Sequence, residues 1–200
     1  MMLTQRAALM TGSLATAAAA VLGAATVGHA ADHAPAPASA DAHRTAIPPQ
    51  LRVPDGNKRI AALDARGVQT YTCADGSWTF LEPAATLWKE HDPRHRPIAL
   101  HSKGPVWIST VDGSAVNASA VPGANVPHPD AVPELLLKAT ATRGDGMFDS
   151  VSYIQRLHTE GGLAPTGSCT GNSQIGVPYS ATYLFYAPSD NKSGTGITKR

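Results

Sequence analysis

Short stretches of alternating apolar and polar residues, separated by glycine, proline and Asp-Gly pairs, run from Lys58 to Ala187. Alternation with period two puts successive side chains on opposite faces of an extended backbone, so each stretch predicts a strand with one buried face. KRIAALDA (Lys58 to Ala65) runs into Arg66-Gly67, and VQTYTC (Val68 to Cys73) follows before a turn at Asp75-Gly76. Trp78 to Leu81 restarts the chain, Pro83 interrupts it, and Ala85 to Lys89 resumes. Beyond a charged loop from His91 to Pro97, PVWISTV (Pro105 to Val111) reaches Asp112-Gly113, a hairpin dipeptide, with Ser114 to Val121 as the return strand.

Pro122, Pro127, Pro129 and Pro133 exclude a helix in the segment that follows. ELLLKATAT (Glu134 to Thr142) fits helix or strand by period. Leu135, Leu137, Ala139 and Ala141 share one face at period two, and the threonines with a stop at Gly144 favour strand. Phe148 to Thr159 is the longest extended candidate, and Tyr179 to Ala187 closes the series. About seven to nine short strands with little helix predict an all-β fold, a single antiparallel β-sandwich or small β-barrel.

The ends of the chain change this picture by setting bounds on the domain. Arg6 precedes an apolar run from Ala7 to Val27, followed by Gly28-His29-Ala30 with small residues where a signal peptidase reads. This pattern predicts a signal peptide over residues 1–30, cleaved after Ala30; a retained membrane anchor is the alternative. Residues 31–46 are a Pro/Ala-rich linker, residues 47–188 the β-domain, and residues 189–200 a flexible polar tail. The expected location is secreted or extracellular, with no stable membrane span after cleavage. Net charge is +1, and lysines and arginines are scattered, so no nucleic-acid partner is expected. Two cysteines, Cys73 and Cys169, have one possible pairing in an oxidising compartment. Free buried thiols or half of a metal site are the alternatives.

Several phrases together resemble a known family. GVQTYTC at Gly67, PAATL at Pro83, GPVW at Gly104, DGS at Asp112, ELLLKA at Glu134 and SYIQRLHTEGGLAP before Cys169 are similar to an exported domain-of-unknown-function family of bacteria and fungi. The resemblance spans most of Ile47 to Ala187 and implies no activity for any residue. Some fungal relatives bear a malate dehydrogenase label, which the residues here oppose. There is no GxGxxG after a strand, no βαβ alternation, and Gly144-Asp145-Gly146 lacks a third glycine and a following helix. An NAD-dependent dehydrogenase is therefore not expected, and no cofactor is.

Two strand faces carry candidate chemistry. If Tyr153 and Leu157 point inward, Ser152, Arg156, His158 and Glu160 share the other face, interrupted only by Ile154. Arg156, His158 and Glu160 are then candidate catalytic residues, able to bind an anion or supply a general acid; a solvated strand face is the alternative. Gln155, on the inner face with Tyr153, is a ligand contact or a structural bracket. Gln69, Tyr71 and Cys73 alternate likewise, and polar tips inside a barrel suggest a small cavity or a satisfied core network. Trp107 joins Gln69, Tyr71, Tyr153 and Gln155 as a candidate ligand-binding residue, from an aromatic set that also includes Trp78, Trp88, Tyr183 and Tyr186.

Metal binding has two candidate sources. His91 and His95 are spaced i, i+4, with His101 close behind, but Asp92-Pro93 between them opposes a helix. Cleavage after Ala30 would expose Ala31-Asp32-His33, where amine, backbone nitrogens and the His33 imidazole can hold Cu(II) or Ni(II). No nucleophile elbow, third cysteine or HExxH is present. The expectation is an exported noncatalytic binding or surface-interaction domain, monomeric, with a small molecule or cell-surface component as partner. The alternatives are a small secreted hydrolase or lyase using His158, Arg156 and Glu160, and copper or nickel capture.

Overall fold

The computed structural model describes residues 47–189, and these form a barrel. Its strands are β1 (Asn57–Ala74), β2 (Ser77–Lys89), β3 (Ala99–Ser102), β4 (Val106–Ser109), β5 (Ala115–Val126), β6 (Glu134–Arg143), β7 (Tyr153–Gly161) and β8 (Gln174–Pro188). Each is antiparallel to the next, and β8 pairs back onto β1 from Asn57↔Pro188 to Thr72↔Gln174. Between the two expected shapes the chain adopts the barrel, in which closure leaves no open sheet edge for another chain to extend. The only helical turn among the described residues is a 3-10 turn at Pro49–Leu51. The predicted signal peptide, the whole linker with His33, and the tail beyond Ser189 lie outside the described residues.

Some predicted interruptions are absent because neighbouring strands absorb them. Arg66-Gly67 is not a turn but the middle of β1, and Gly67 is needed there for close approach. A Cβ at Gly67 would overlap the carbonyl of Ala84 and the Cα of Ala85 on β2. Pro83 lies inside β2 opposite Gln69, beside a bulge at Thr70/Tyr71. β3 pairs only with Ala85 to Leu87, so the proline sits beyond its reach, where a missing N–H costs the ladder least.

The two ends of the barrel differ. At one end the β6–β7 connection folds inward, and Phe148 and Val151 are buried against Ile154 and Phe185. Phe148 was expected to begin a strand; it plugs the barrel instead. Asp112 holds the plug: its Oδ2 accepts from the Met147 amide at 3.0 Å, and its Oδ1 accepts from the Ser114 amide at 2.9 Å and hydroxyl at 2.6 Å. The Ser114 hydroxyl oxygen accepts in turn from the Phe148 amide at 3.1 Å. The opposite end carries the β1–β2, β3–β4, β5–β6 and β7–β8 connections and stays open.

A second apolar cluster lies on the outside of the wall. Leu51, from the segment before β1, packs on Leu136, Leu157 and Leu184, with Tyr153 and Tyr186 beside them. The middle of β6, β7 and β8 is therefore buried on both faces, which breaks the simple inside-outside alternation expected of a sheet facing water.

Candidate functional site

The open end of the barrel encloses a cavity of about 310 Å³. Its position follows from strand parity. Leu63, Ala65, Gln69 and Tyr71 of β1 face the interior, as do Tyr179, Tyr183 and Phe185 of β8. Apolar side chains and the plug fill the closed half, and polar tips occupy the half nearer the mouth.

Trp107 and His101 form one wall. Their rings stack with centroids 4.1 Å apart and planes 6° from parallel, and Tyr183 meets both edge-on. His101 is buried and its Nδ1 lies 3.0 Å from the Val106 carbonyl, so the neutral imidazole donates from Nδ1. Burial pushes the His101 pKa down to about 4, against the hydrogen bond to Val106, and the nearby Arg156 charge adds to the fall. The ring is neutral at pH 7.

Across the cavity, Tyr71 donates its hydroxyl proton to the Gly162 carbonyl at 2.6 Å, tying the β7–β8 connection to the inner face of β1. Gly162 has φ +80, and a Cβ there would press on Gln69, Tyr179 and Val132. The disulfide between Cys73 and Cys169, with Cα atoms 5.7 Å apart, fastens the same connection to the end of β1. Cys169 N–H donates to Gly76 and Cys73 N–H to the Ser173 carbonyl.

Two residues that line this cavity carry a buried donor without an acceptor, Gln69 at Nε2 and Trp107 at Nε1; His128 Nε2 and Thr159 Oγ1, away from the cavity, are likewise without a hydrogen-bond partner. Gln69 is 2% exposed and Trp107 1% exposed, so water outside the barrel does not reach them. An unmatched buried donor costs about 1–3 kcal/mol.

Arg156 also lines this cavity, which corrects the predicted strand faces. In β7 the inward residues are Ile154 and Arg156, while Tyr153, Gln155 and Leu157 point outward beneath the segment that carries Leu51. Gln155 serves as a bracket there: its Nε2 donates to the Leu51 carbonyl at 2.6 Å, and its Oε1 accepts from the Tyr186 hydroxyl at 2.8 Å. Tyr153 and Gln155 therefore do not reach the cavity that holds Gln69, Tyr71 and Trp107.

Beyond Leu157 a bulge reverses the order of faces. His158 adopts φ +51, and its amide donates to Glu134 Oε1 at 2.7 Å. His158 and Glu160 consequently line a groove on the outer wall with Asp64, Trp88 and His95, away from Arg156. The predicted set of Arg156, His158 and Glu160 is split between two sites. In that groove Glu160 accepts from the Ser180 hydroxyl at 3.1 Å, and Trp88 stacks on His95 at 4.7 Å. His91 and His95 sit in a turn held by Asp92, not on a helix, and no group of three or more metal-ligating residues occurs among the described residues.

Sequence reading identified Gln69, Tyr71 and Trp107 but not Arg156 or His101 as cavity residues. The signal for Arg156 was Ile154, an apolar residue two positions earlier on the same face. His101 gave a comparable signal: it alternates with Ala99 and sits one turn before the GPVW phrase whose tryptophan it stacks on.

The fold and the cavity together define an antiparallel, eight-stranded up-and-down barrel with one plugged end and a cavity at the other. The chain belongs to the family described as protein of unknown function (DUF3455), whose model matches residues 54–187, nearly the whole barrel. No curated protein and no solved structure matches it.

Proposed function

We propose that this is an exported, noncatalytic binding domain that holds a small molecule in the open mouth of the barrel. The observation that carries this reading is the pair of buried acceptorless donors, Gln69 Nε2 and Trp107 Nε1, on residues that line a cavity of about 310 Å³. That volume is at the small end of the roughly 300–1,000 Å³ typical of ligand pockets. An occupied cavity would supply acceptors to these two donors after a small shift of their side chains. Export is supported by the disulfide, which suits an oxidising compartment.

The hydrolase or lyase alternative has weaker support, since Arg156 and His158 line different cavities and only His158 and Glu160 remain together. A small-fragment collection screened by nitrogen-resolved NMR tests the binding reading. Binders are expected to move the side-chain NH signals of Gln69 and Trp107 and to lose this effect in Ala120→Trp, which adds an indole at a β5 residue that lines the cavity. Fragments that shift only the groove around His95 and His158, or no signals at all, would defeat it.

A further inference from the structure

On the reading that this cavity is the binding site, we infer that its ligand is a small organic monoanion, a carboxylate carried on an aromatic body. The positive charge comes first. Arg156 points into the barrel with its guanidinium half-buried, and its Nε and Nη2 both donate to one acceptor, the Pro133 carbonyl, at 3.1 and 2.8 Å. No carboxylate pairs with it among the described residues. Glu134, which flanks Leu135 in the strand opposite Arg156, is turned outward and engaged with the His158 amide.

The ionisable groups around Arg156 do not neutralise it. Tyr71, Tyr179 and Tyr183 are held in their neutral form by burial, although the Arg156 charge opposes that rise in each. His101, pushed down to about 4 mainly by burial, is uncharged as well. Among the described residues, the cavity lining therefore holds one positive charge and no negative one. A half-buried charge without a counter-charge is unfavourable, and an entering anion relieves it. A planar guanidinium matches a carboxylate closely, whereas one arginine without a second cation leaves a phosphate dianion half-neutralised.

The remaining wall specifies the body of the ligand. Trp107 and His101, stacked on each other, back the cavity as a rigid aromatic wall, and Leu137 and Val132 add apolar surface. The β1–β2 hairpin projects past the short β3 and β4, so Phe80 lies on its inner side, edge-on to Tyr71 and 52% exposed. An exposed phenylalanine on the inward face of a cavity mouth is surface a ring can cover. A small shift of the Gln69 and Trp107 side chains would turn their acceptorless donors to the carboxylate oxygens.

Calorimetric titration of the intact, disulfide-bonded protein with 3-phenylpropionate and with its neutral amide, 3-phenylpropionamide, tests the inference at pH 7. The acid is expected to bind at least tenfold more tightly than the amide, and Arg156→Met is expected to erase the difference. The comparison on the unmutated protein stands even where that variant fails to fold. Equal binding of acid and amide, abolished by Ala120→Trp, overturns the anion and leaves the cavity as the binding site. Binding of neither compound, or binding that Ala120→Trp does not disturb, overturns both readings.

Discussion

His101 combines two roles at the residue scale: its ring completes the aromatic wall with Trp107, and its burial makes the barrel sensitive to acid. The folded-state pKa of about 4 lies below the unfolded value near 6.5, so the unfolded chain takes the proton first. Its contribution is whole above pH 6.5 and is lost as pH falls from there through about 4. The difference corresponds to about 3 kcal/mol for this one group. His101→Phe keeps a flat ring and removes the titration. Urea unfolding of this variant between pH 7 and pH 4 is expected to show a shallower decline than the parent, by roughly one bound proton. Identical slopes would mean that His101 titrates normally in the fold.

The same scale shows why residue roles were legible in β1 and not in β7. Gln69 and Tyr71 follow Leu63 and Ala65 at period two, and nothing covers the outer face of that stretch well enough to confuse the pattern. In β7 the outer residues Tyr153 and Leu157 are as apolar as the inner Ile154, because the segment around Leu51 covers them. Period-two reasoning then has two apolar faces to choose from, and it assigned Arg156 to the wrong one.

Among the elements, the β6–β7 connection decides which end of the barrel is open. Phe148 and Val151 turn inward because Asp112, at the tip of the β4–β5 hairpin, gathers the Met147 amide directly and the Phe148 amide through Ser114. These hydrogen bonds hold the Asp112 carboxyl well below the usual aspartate range, the Ser114 hydroxyl contributing most. A depressed folded-state value means that the clamp is intact above the ordinary aspartate pKa and weakens as acid protonates it. Asp112→Ala is expected to speed amide hydrogen exchange at Met147 and Phe148 while leaving β1 and β8 amides protected. Unchanged exchange at Met147 would show that Phe148 packing alone seats the plug. The DGS phrase predicted the hairpin turn here, but its second role depends on a loop 35 residues away and has no local signature.

At the scale of the barrel, the β1–β8 seam runs its full length and the disulfide fastens the end nearer the mouth. Cys73 and Cys169 are separated by 96 residues, so the link removes on the order of 4–5 kcal/mol of unfolded-chain entropy. Cys73→Ser with Cys169→Ser is expected to lower stability toward urea by up to that amount while the far-ultraviolet spectrum stays β-type. Ligand binding is expected to weaken too, because the β7–β8 connection would then be held to the mouth chiefly by the Tyr71–Gly162 hydrogen bond. A stability unchanged by the double substitution would show that the loop is already ordered by other contacts.

Local chemistry was enough to establish the strand content, the Asp-Gly turns, the pairing of the two cysteines and the polar tips of β1, since each depends on alternation or on residue type. Closure into a barrel, the plugged end, the outer cover over β7 and the bulge at His158 depend on contacts between residues far apart in the chain. Those long-range contacts put Arg156 inside without a counter-charge and His158 outside. The physical reason is that a strand's period defines two faces, and only its neighbours on both sides decide which face is the interior.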